Sequence, residues 1–275
     1  MTPKRTMLGM AALVVGALLA TPTLAASCIT SQGQFEAFKQ QLGQQAAASG
    51  VGQRGLQALQ QARLSGITWR FESNPASQSS MRYRSPEEFL TSRFSTVNSF
   101  VSGARQRLQR NAGFFQTIEQ RFGVPGSILV AIWGYETSWG GYTGDTPIVS
   151  GAVTLASYCR RHPRFEDDAL AALQLVDSGL IDGNSRGGPS GELGHMQFLA
   201  GNWVRFASDG NGDGRADPNN PFDALATAAY MLRANGWQPG GSFADGSSNF
   251  RVLSVWNDSG NYQRAIAFAA GLIDQ

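Results

Sequence analysis

Charge is scarce in this chain. Only 15% of its 275 residues are Asp, Glu, Lys or Arg, against 42% hydrophobic, which excludes a disordered segment and a solvated coiled coil. The net charge of +2 argues against a dedicated nucleic-acid binder. Cysteine and histidine are equally rare, two of each. His162 and His195 stand alone, so no His/Cys cluster with zinc spacing exists. Period-two alternation and internal repeats are both missing, which leaves little room for strands or a solenoid. The one long apolar run, Met7 to Ala20, is too short to span a bilayer comfortably, and no later segment is long and apolar enough to try.

What is present begins with that run. Lys4 and Arg5 precede it, and Thr21-Pro22-Thr23-Leu24-Ala25-Ala26 follows. A basic start, a short apolar stretch and small residues at its end read as a signal peptide over residues 1–26, with the mature chain expected in the periplasm. Without those residues the chain balances, and unevenly. Residues 27–128 carry 11 basic and 5 acidic residues, and residues 129–275 carry 9 basic and 15 acidic. The first half therefore faces either an acidic polymer or the second half. Cys28 and Cys159 fall in an oxidising compartment after export, where an even count favours a disulfide between them. Lipidation of Cys28 is the alternative, although Ala25-Ala26-Ser27 lacks the Leu three residues upstream that lipoprotein signals carry.

Along the mature chain the pattern is helical. Phe35, Phe38 and Leu42 share a face with Gly50 as a stop, and Leu56 and Leu59 mark a second short helix. Ser73–Ser80 is a polar loop. Ser85-Pro86-Glu87-Glu88 gives a capping box with Pro at the first helical position, and Phe89, Leu90, Phe94, Val97, Phe100 and Val101 continue the helix. Phe114, Phe115, Ile118 and Phe122 form another, stopped by Gly123. Further helices are predicted from Gly126 to about Gly140, around Val149–Tyr158, Phe165–Val176, Phe222–Ala234 and Tyr262–Ile273. The fold class is mainly α, with at most a small hairpin in the glycine-rich part.

Chemistry concentrates in Ile128-Leu129-Val130-Ala131-Ile132-Trp133-Gly134-Tyr135-Glu136-Thr137-Ser138-Trp139-Gly140, where one carboxylate closes a very apolar helix. Ile132 and Trp133 lie four and three residues before Glu136 and share its side. A carboxyl held against apolar groups ionises late, which suits it to deliver a proton to a leaving oxygen. The alternative is a glutamate that points to water from a helix end.

These residues resemble a known family. Glu136-Thr137-Ser138-Trp139-Gly140, Thr143-Gly144-Asp145 and Thr154-Leu155-Ala156 are similar to the catalytic stretch of the lytic murein transglycosylase B family, glycoside hydrolase family 103. Gly191-Glu192-Leu193-Gly194-His195-Met196-Gln197-Phe198 resembles its G-x-x-G-x-x-Q-F segment. Asp209 to Asp223 resembles its calcium loop, Asn235-Gly236-Trp237 its H/N-G-W, and Trp256-Asn257-Asp258-Ser259-Gly260-Asn261-Tyr262 its Y-N-x-S-x-x-Y. The likeness runs from about Cys28 to the end, in the family's order. Leu199-Ala200-Gly201-Asn202 departs from the family's M/L-P-S-S, and Pro189-Ser190 from its aromatic-Ala pair.

The resemblance implies a lysozyme-like catalytic core over 123–275 with additional N-terminal helices over 27–122. It implies Glu136 as the sole catalytic acid, and Gln197, Asn257 and Tyr262 in a sugar-binding groove. The implied reaction cleaves the β-1,4 bond between N-acetylmuramic acid and N-acetylglucosamine in peptidoglycan glycan strands, forming 1,6-anhydromuramic acid without consuming water. One carboxylate then suffices where ordinary glycosidases need two. Asp145 and Glu192 are the second-carboxylate candidates for a hydrolytic muramidase, and a non-catalytic wall-binding protein is the third reading. No cofactor is expected for catalysis, and a monomer is expected.

Asp209-Gly210-Asn211-Gly212-Asp213-Gly214-Arg215-Ala216-Asp217 also fits the first nine positions of an EF-hand loop spanning 209–220. Asp209, Asn211, Asp213 and Asp217 supply oxygens at positions 1, 3, 5 and 9, Arg215 its carbonyl at 7, and Gly214 the turn at 6. Asn220 replaces the bidentate Glu at position 12, so a weak structural calcium is expected, with a metal-free turn as the alternative.

Overall fold

A computed structural model describes residues 25–74 and 83–275. The expected signal peptide, up to residue 24, and the polar loop from Pro75 onward lie outside the described residues. The described chain is built of helices: α1 (Phe35–Ala48), α2 (Gln53–Gln61), α3 (Gly66–Ser73), α4 (Pro86–Thr91), α5 (Val97–Arg110), α6 (Ala112–Phe122), α7 (Gly126–Thr137), α8 (Ile148–Ser157), α9 (Glu166–Asp177), α10 (Ala200–Phe206), α11 (Pro221–Ala234), α12 (Ser248–Val252) and α13 (Gly260–Ile273). The β content is one antiparallel pair, β1 (Thr146–Pro147) with β2 (Arg186–Gly187).

Two helices organise the rest. Eleven of the twelve residues of α7 are buried, as is every residue of α8, the behaviour of helices that are apolar on all sides. Against α7 pack α5, α6 and α13; against α8 pack α3 and α9, with α1 and α2 alongside. Residues on either side of position 122 share one continuous core, from Phe38 and Phe100 to Leu173 and Ile266.

Capping decides where helices break. Ser85 Oγ accepts from Glu88 N–H at 3.2 Å, while the Glu88 carboxylate reaches Arg84 N–H at 2.7 Å rather than the cap itself. The expected continuous helix beyond Ser85 does not form. Thr96 Oγ1 accepts from Ser99 N–H at 3.0 Å and starts α5 afresh, so a Thr/Ser capping pair outweighs the unbroken apolar spacing. Likewise α7 stops at Thr137, three residues short of the expected Gly140, because Ser138 enters the left-handed region at φ 51°.

The start of the described chain is tied down. Cys28 and Cys159 form a disulfide with Cα atoms 4.8 Å apart, and Ile29 N–H donates to Ser157 O at 2.8 Å. The charged halves meet through cross-links of both senses. Arg105 donates to the Leu272 and Ile273 carbonyls, while buried Glu72 pairs with Arg160 and Arg161.

Candidate active site

Glu136 is the penultimate residue of α7 and the only one of that helix not fully buried. Its Oε1 accepts two hydrogen bonds, from Tyr262 Oη at 2.7 Å and Trp256 Nε1 at 3.0 Å. No described residue donates to Oε2. The groups touching the carboxylate thus come from α13 and the turn before it. Trp133, expected beside Glu136 as an apolar neighbour, donates its indole N–H to His195 Nδ1 at 3.2 Å.

Burial is the main cause that raises the Glu136 pKa, and the charge of Glu192 adds to it. The two hydrogen bonds and the nearby Arg93 guanidinium pull the other way. The carboxyl is therefore biased toward its proton while its anion retains ready-made donors. Burial and the adjacent Glu136 push the Tyr262 phenol well above its ordinary value, so it remains a donor.

The donors are fixed by aromatic packing. Tyr262 is buried, with Tyr135 and Phe89 edge-to-face at 5.5 and 6.3 Å. Phe198 holds the Trp256 ring at 5.0 Å. Tyr262, an aromatic expected near the groove, is buried with its hydroxyl on Glu136. Arg93 spans the Tyr135 ring at 4.6 Å and donates to the Tyr135 carbonyl at 2.7 Å. Trp256, Phe198 and Arg93 were not singled out from sequence. Trp256 and Phe198 lie inside the quoted motifs, whereas Arg93 carries no local signal.

The turn after α7 is strained and heavily braced. Ser138, Trp139 and Gly140 all have positive φ, at 51°, 59° and 83°, and the first two pay for it without a glycine's freedom. Trp139 Nε1 donates to Val130 O at 3.1 Å, and Arg107 lies 4.1 Å over the ring. Thr137 Oγ1 donates to His195 O at 2.7 Å and accepts from Gly140 N–H at 2.9 Å. One hydroxyl thereby couples the end of α7 to the 194–198 turn. With Trp133 donating to it, His195 Nδ1 carries no proton, and burial lowers the His195 pKa in agreement.

That turn presents Gln197, itself left-handed at φ 52°. Its Nε2 donates to the Thr143 and Gly194 carbonyls at 2.9 and 3.0 Å. A Cβ added to Gly188 would lie 2.4 Å from Gln197 Oε1 and 2.3 Å from Glu192 Oε2, so both oxygens flank this glycine. Glu192 Oε2 accepts from Ser190 N–H at 2.8 Å, and burial raises its pKa. Asp145 is exposed and its carbonyl accepts from Arg186. Asn257 is exposed beside Trp256, its Oδ1 accepting from Ser259 N–H at 3.0 Å.

The acidic loop lies behind this turn, joined by His195 N–H donating to Pro218 O at 3.0 Å. Asp209 accepts from Gly212 and Gly214 N–H at 2.6 and 2.7 Å, with Gly214 at φ 88°. Asn211 and Asp213 accept from the amides two residues on. Asp217 turns away to Asn219 N–H. Fully buried Asp223 accepts from Gly210, Asn211 and Asp217 N–H. Among the described residues no group of three His, Cys, Asp or Glu converges as a metal site.

Comparison with known proteins decides the family. Residues 34–245 match the transglycosylase SLT domain. The chain belongs to that family. Membrane-bound lytic murein transglycosylase B of Escherichia coli (strain K12) is 34% identical over 127 residues, a stretch covering 46% of this chain and 35% of that protein. Among solved SLT-type structures, the E. coli lytic transglycosylase Slt35 in complex with calcium superposes with a TM-score of 0.71 at 21% identity, covering 86% of this chain and 92% of that one. SltB3 from Pseudomonas aeruginosa in complex with NAG-NAM-pentapeptide gives 0.72 at 22%, covering 87% and 79%. The lysozyme-like, mainly α fold expected from sequence is that of these relatives.

Proposed function

We propose that this chain is an exported lytic transglycosylase that cleaves the N-acetylmuramic acid–N-acetylglucosamine β-1,4 bond of peptidoglycan and leaves 1,6-anhydromuramic acid ends. The observation that carries this reading is the asymmetry of Glu136: Oε1 engaged by two donors, Oε2 by none, in a carboxyl kept toward its neutral form by burial. With both donors on Oε1, the acid proton belongs on Oε2, which protonates the glycosidic oxygen. The resulting carboxylate is stabilised by Tyr262, Trp256 and the charge of Arg93. It then takes the proton of the muramic C6 hydroxyl as that oxygen attacks C1, and the substrate's acetamido group steadies the intermediate cation.

A water-using muramidase needs a second, ionised carboxylate. Burial raises the Glu192 pKa while Ser190 N–H, donating to its Oε2, lowers it, so the ends released from the glycan, anhydro or reducing, decide between the two readings. Gln197, its amide nitrogen already committed, offers Oε1 to a sugar hydroxyl or acetamido N–H, and exposed Asn257 extends the groove. The peptidoglycan fragment bound to SltB3 supports the substrate class. Periplasmic residence is supported by the disulfide.

The 209–217 loop serves as a structural calcium site in this reading. Its donors are all oxygens and Gly214 makes the turn such a loop requires. When bound, the ion would brace the 194–198 turn through Pro218 and take no part in proton transfer.

Mass spectrometry of muropeptides released from purified sacculi tests the proposal. Anhydro ends are expected, and reducing ends would reassign the protein as a hydrolase. Glu136→Gln should lose activity by roughly a hundredfold or more; unchanged solubilisation would show that Glu136 is not the acid, and a wild-type chain that binds sacculi without releasing muropeptides would leave only a wall-binding role.

A further inference from the structure

Glu166 is a buried carboxylate that no lysine or arginine among the described residues pairs with. It opens α9 at 7% exposure. The nearest titratable nitrogen, His162 Nδ1, is 3.9 Å from its Oε1 and is itself buried without a hydrogen-bond partner. The hydrogen bond that Oε1 does accept comes from the backbone N–H of Ala26 at 2.9 Å. Burying an ionised carboxylate against one amide is costly, and a positive partner removes most of that cost.

The chain beside it is anchored residue by residue. Ala26 is 1% exposed and belongs to the core. Ser27 N–H donates to Gln41 Oε1 at 2.6 Å, Cys28 is bonded to Cys159, and Ile29 N–H donates to Ser157 O at 2.8 Å. Ala25, one residue earlier, is exposed. Buried anchoring contacts among the described residues thus begin at Ala26. A cut after Ala26, as the sequence reading had it, would remove a core residue and strip Glu166 of its partner. A cut one residue earlier also suits the recognition chemistry better, placing small Thr23 and Ala25 three and one residues before the scissile bond instead of Leu24 and Ala26.

We propose that signal peptidase cuts between Ala25 and Ala26, and that the new α-ammonium of Ala26 docks on Glu166 as a buried ion pair. Water is consumed across the Ala25–Ala26 amide. Ala25 leaves with the carboxylate, and the Ala26 nitrogen takes up protons to become an ammonium. Processing thereby places a positive charge and two further N–H donors where the precursor has one amide N–H. The cut completes the anchor of the disulfide-bearing arm. This inference rests on the export reading, and its test separates the two.

The full-length chain is exported in a Gram-negative host, purified from the periplasm, and read by intact mass and N-terminal sequencing. The expected first residue is Ala26. A periplasmic chain starting at Ser27, at Cys28 or at Met1 overturns the cut site while leaving export intact; a chain found only in the cytoplasm with Met1 retained overturns both. The second readout is labelling by an amine-reactive acetylating reagent near neutral pH. The processed chain has one lysine, Lys39, so modification of the α-amine is read cleanly by peptide mass. The α-amine should react at least about tenfold more slowly in the folded protein than after denaturation, and Glu166→Gln should bring it toward the unfolded rate. Equal folded and unfolded rates in the wild-type chain refute the docking, whether or not the variant folds.

Discussion

Removing the Tyr262 hydroxyl isolates the half of the cycle in which Glu136 is charged. Tyr262→Phe keeps a ring of the same shape between Tyr135 and Phe89 but deletes the 2.7 Å donor to Oε1. A hydrogen bond to a charged group is worth roughly 1.5–3 kcal/mol, and each 1.36 kcal/mol of barrier is about tenfold in rate. Turnover should therefore fall about ten- to hundredfold, through the steps that generate and use the carboxylate. The pH profile moves as well. Activity requires protonated Glu136 and is lost as pH rises through its folded pKa. The deleted bond stabilises the anion and so lowers that pKa. Its loss should shift the alkaline limb to higher pH even as the maximum falls. Release of anhydro-muropeptides, followed chromatographically across pH, measures both. A variant with unaltered turnover and an unshifted limb would show that Oε1 is not the oxygen whose charge matters.

Glu136→Gln should raise thermal stability at neutral pH while abolishing turnover. Burial lifts the folded pKa above the ordinary 4.5, so the folded state is destabilised by ionisation as pH climbs from about 4.5 through the folded value; melting curves of the two proteins should converge in acid and diverge above it. Opening the Cys28–Cys159 bridge by Cys→Ser at both positions should cost about 2–5 kcal/mol, read by denaturant unfolding, because it closes a 131-residue separation. Added calcium should raise the melting temperature relative to chelator, and Asp209→Asn should remove that response; a calcium-independent wild type would assign the loop as a metal-free turn. Gly134→Ala would set a methyl 2.7 Å from the Trp139 ring and 2.8 Å from Phe100, and should lower turnover without touching Glu136, as measured on purified sacculi.

Much of the fold was legible because it follows from burial periodicity: the Phe35, Phe114 and Ile128 faces each became a helix near its expected place. Breaks that depend on a single side chain were not. The α4–α5 interruption turns on Thr96 and Ser99, whose pairing looks like ordinary polar spacing until the backbone is seen to bend. At the site, Glu136 was legible as the candidate acid from the apolar run it closes together with the motif resemblance. Its partners were not, because the expectation used helical neighbours three and four residues away. The groups that touch Glu136 lie 120 and 126 residues downstream, and no local period connects them. Arg93, 43 residues upstream, is reached only through packing of the α4–α5 turn on α7.

Placing the acid at the last turn of a buried helix has an electrostatic consequence. The carbonyls at the carboxyl end of α7 are all taken up: Trp133 O and Gly134 O accept from Trp139 and Ser138 N–H, Thr137 O from Tyr142 N–H, and Tyr135 O and Glu136 O from the Arg93 guanidinium. No basic residue of α7 caps its own end; Arg93, from the turn before α5, supplies that positive charge and eases ionisation of Glu136, so burial is the main upward push on its pKa. Here the helix is ended instead by two non-glycine residues in the left-handed region, a conformation costing of order 1–3 kcal/mol each. It is sustained because Trp139 is gripped by Phe94, Phe100 and Arg107 while its indole N–H satisfies Val130 O. The sharp stop leaves Thr137 free to tie the 194–198 turn beside the acid. The irregular helix end thus fixes Glu136 relative to the 194–198 turn that carries Gln197.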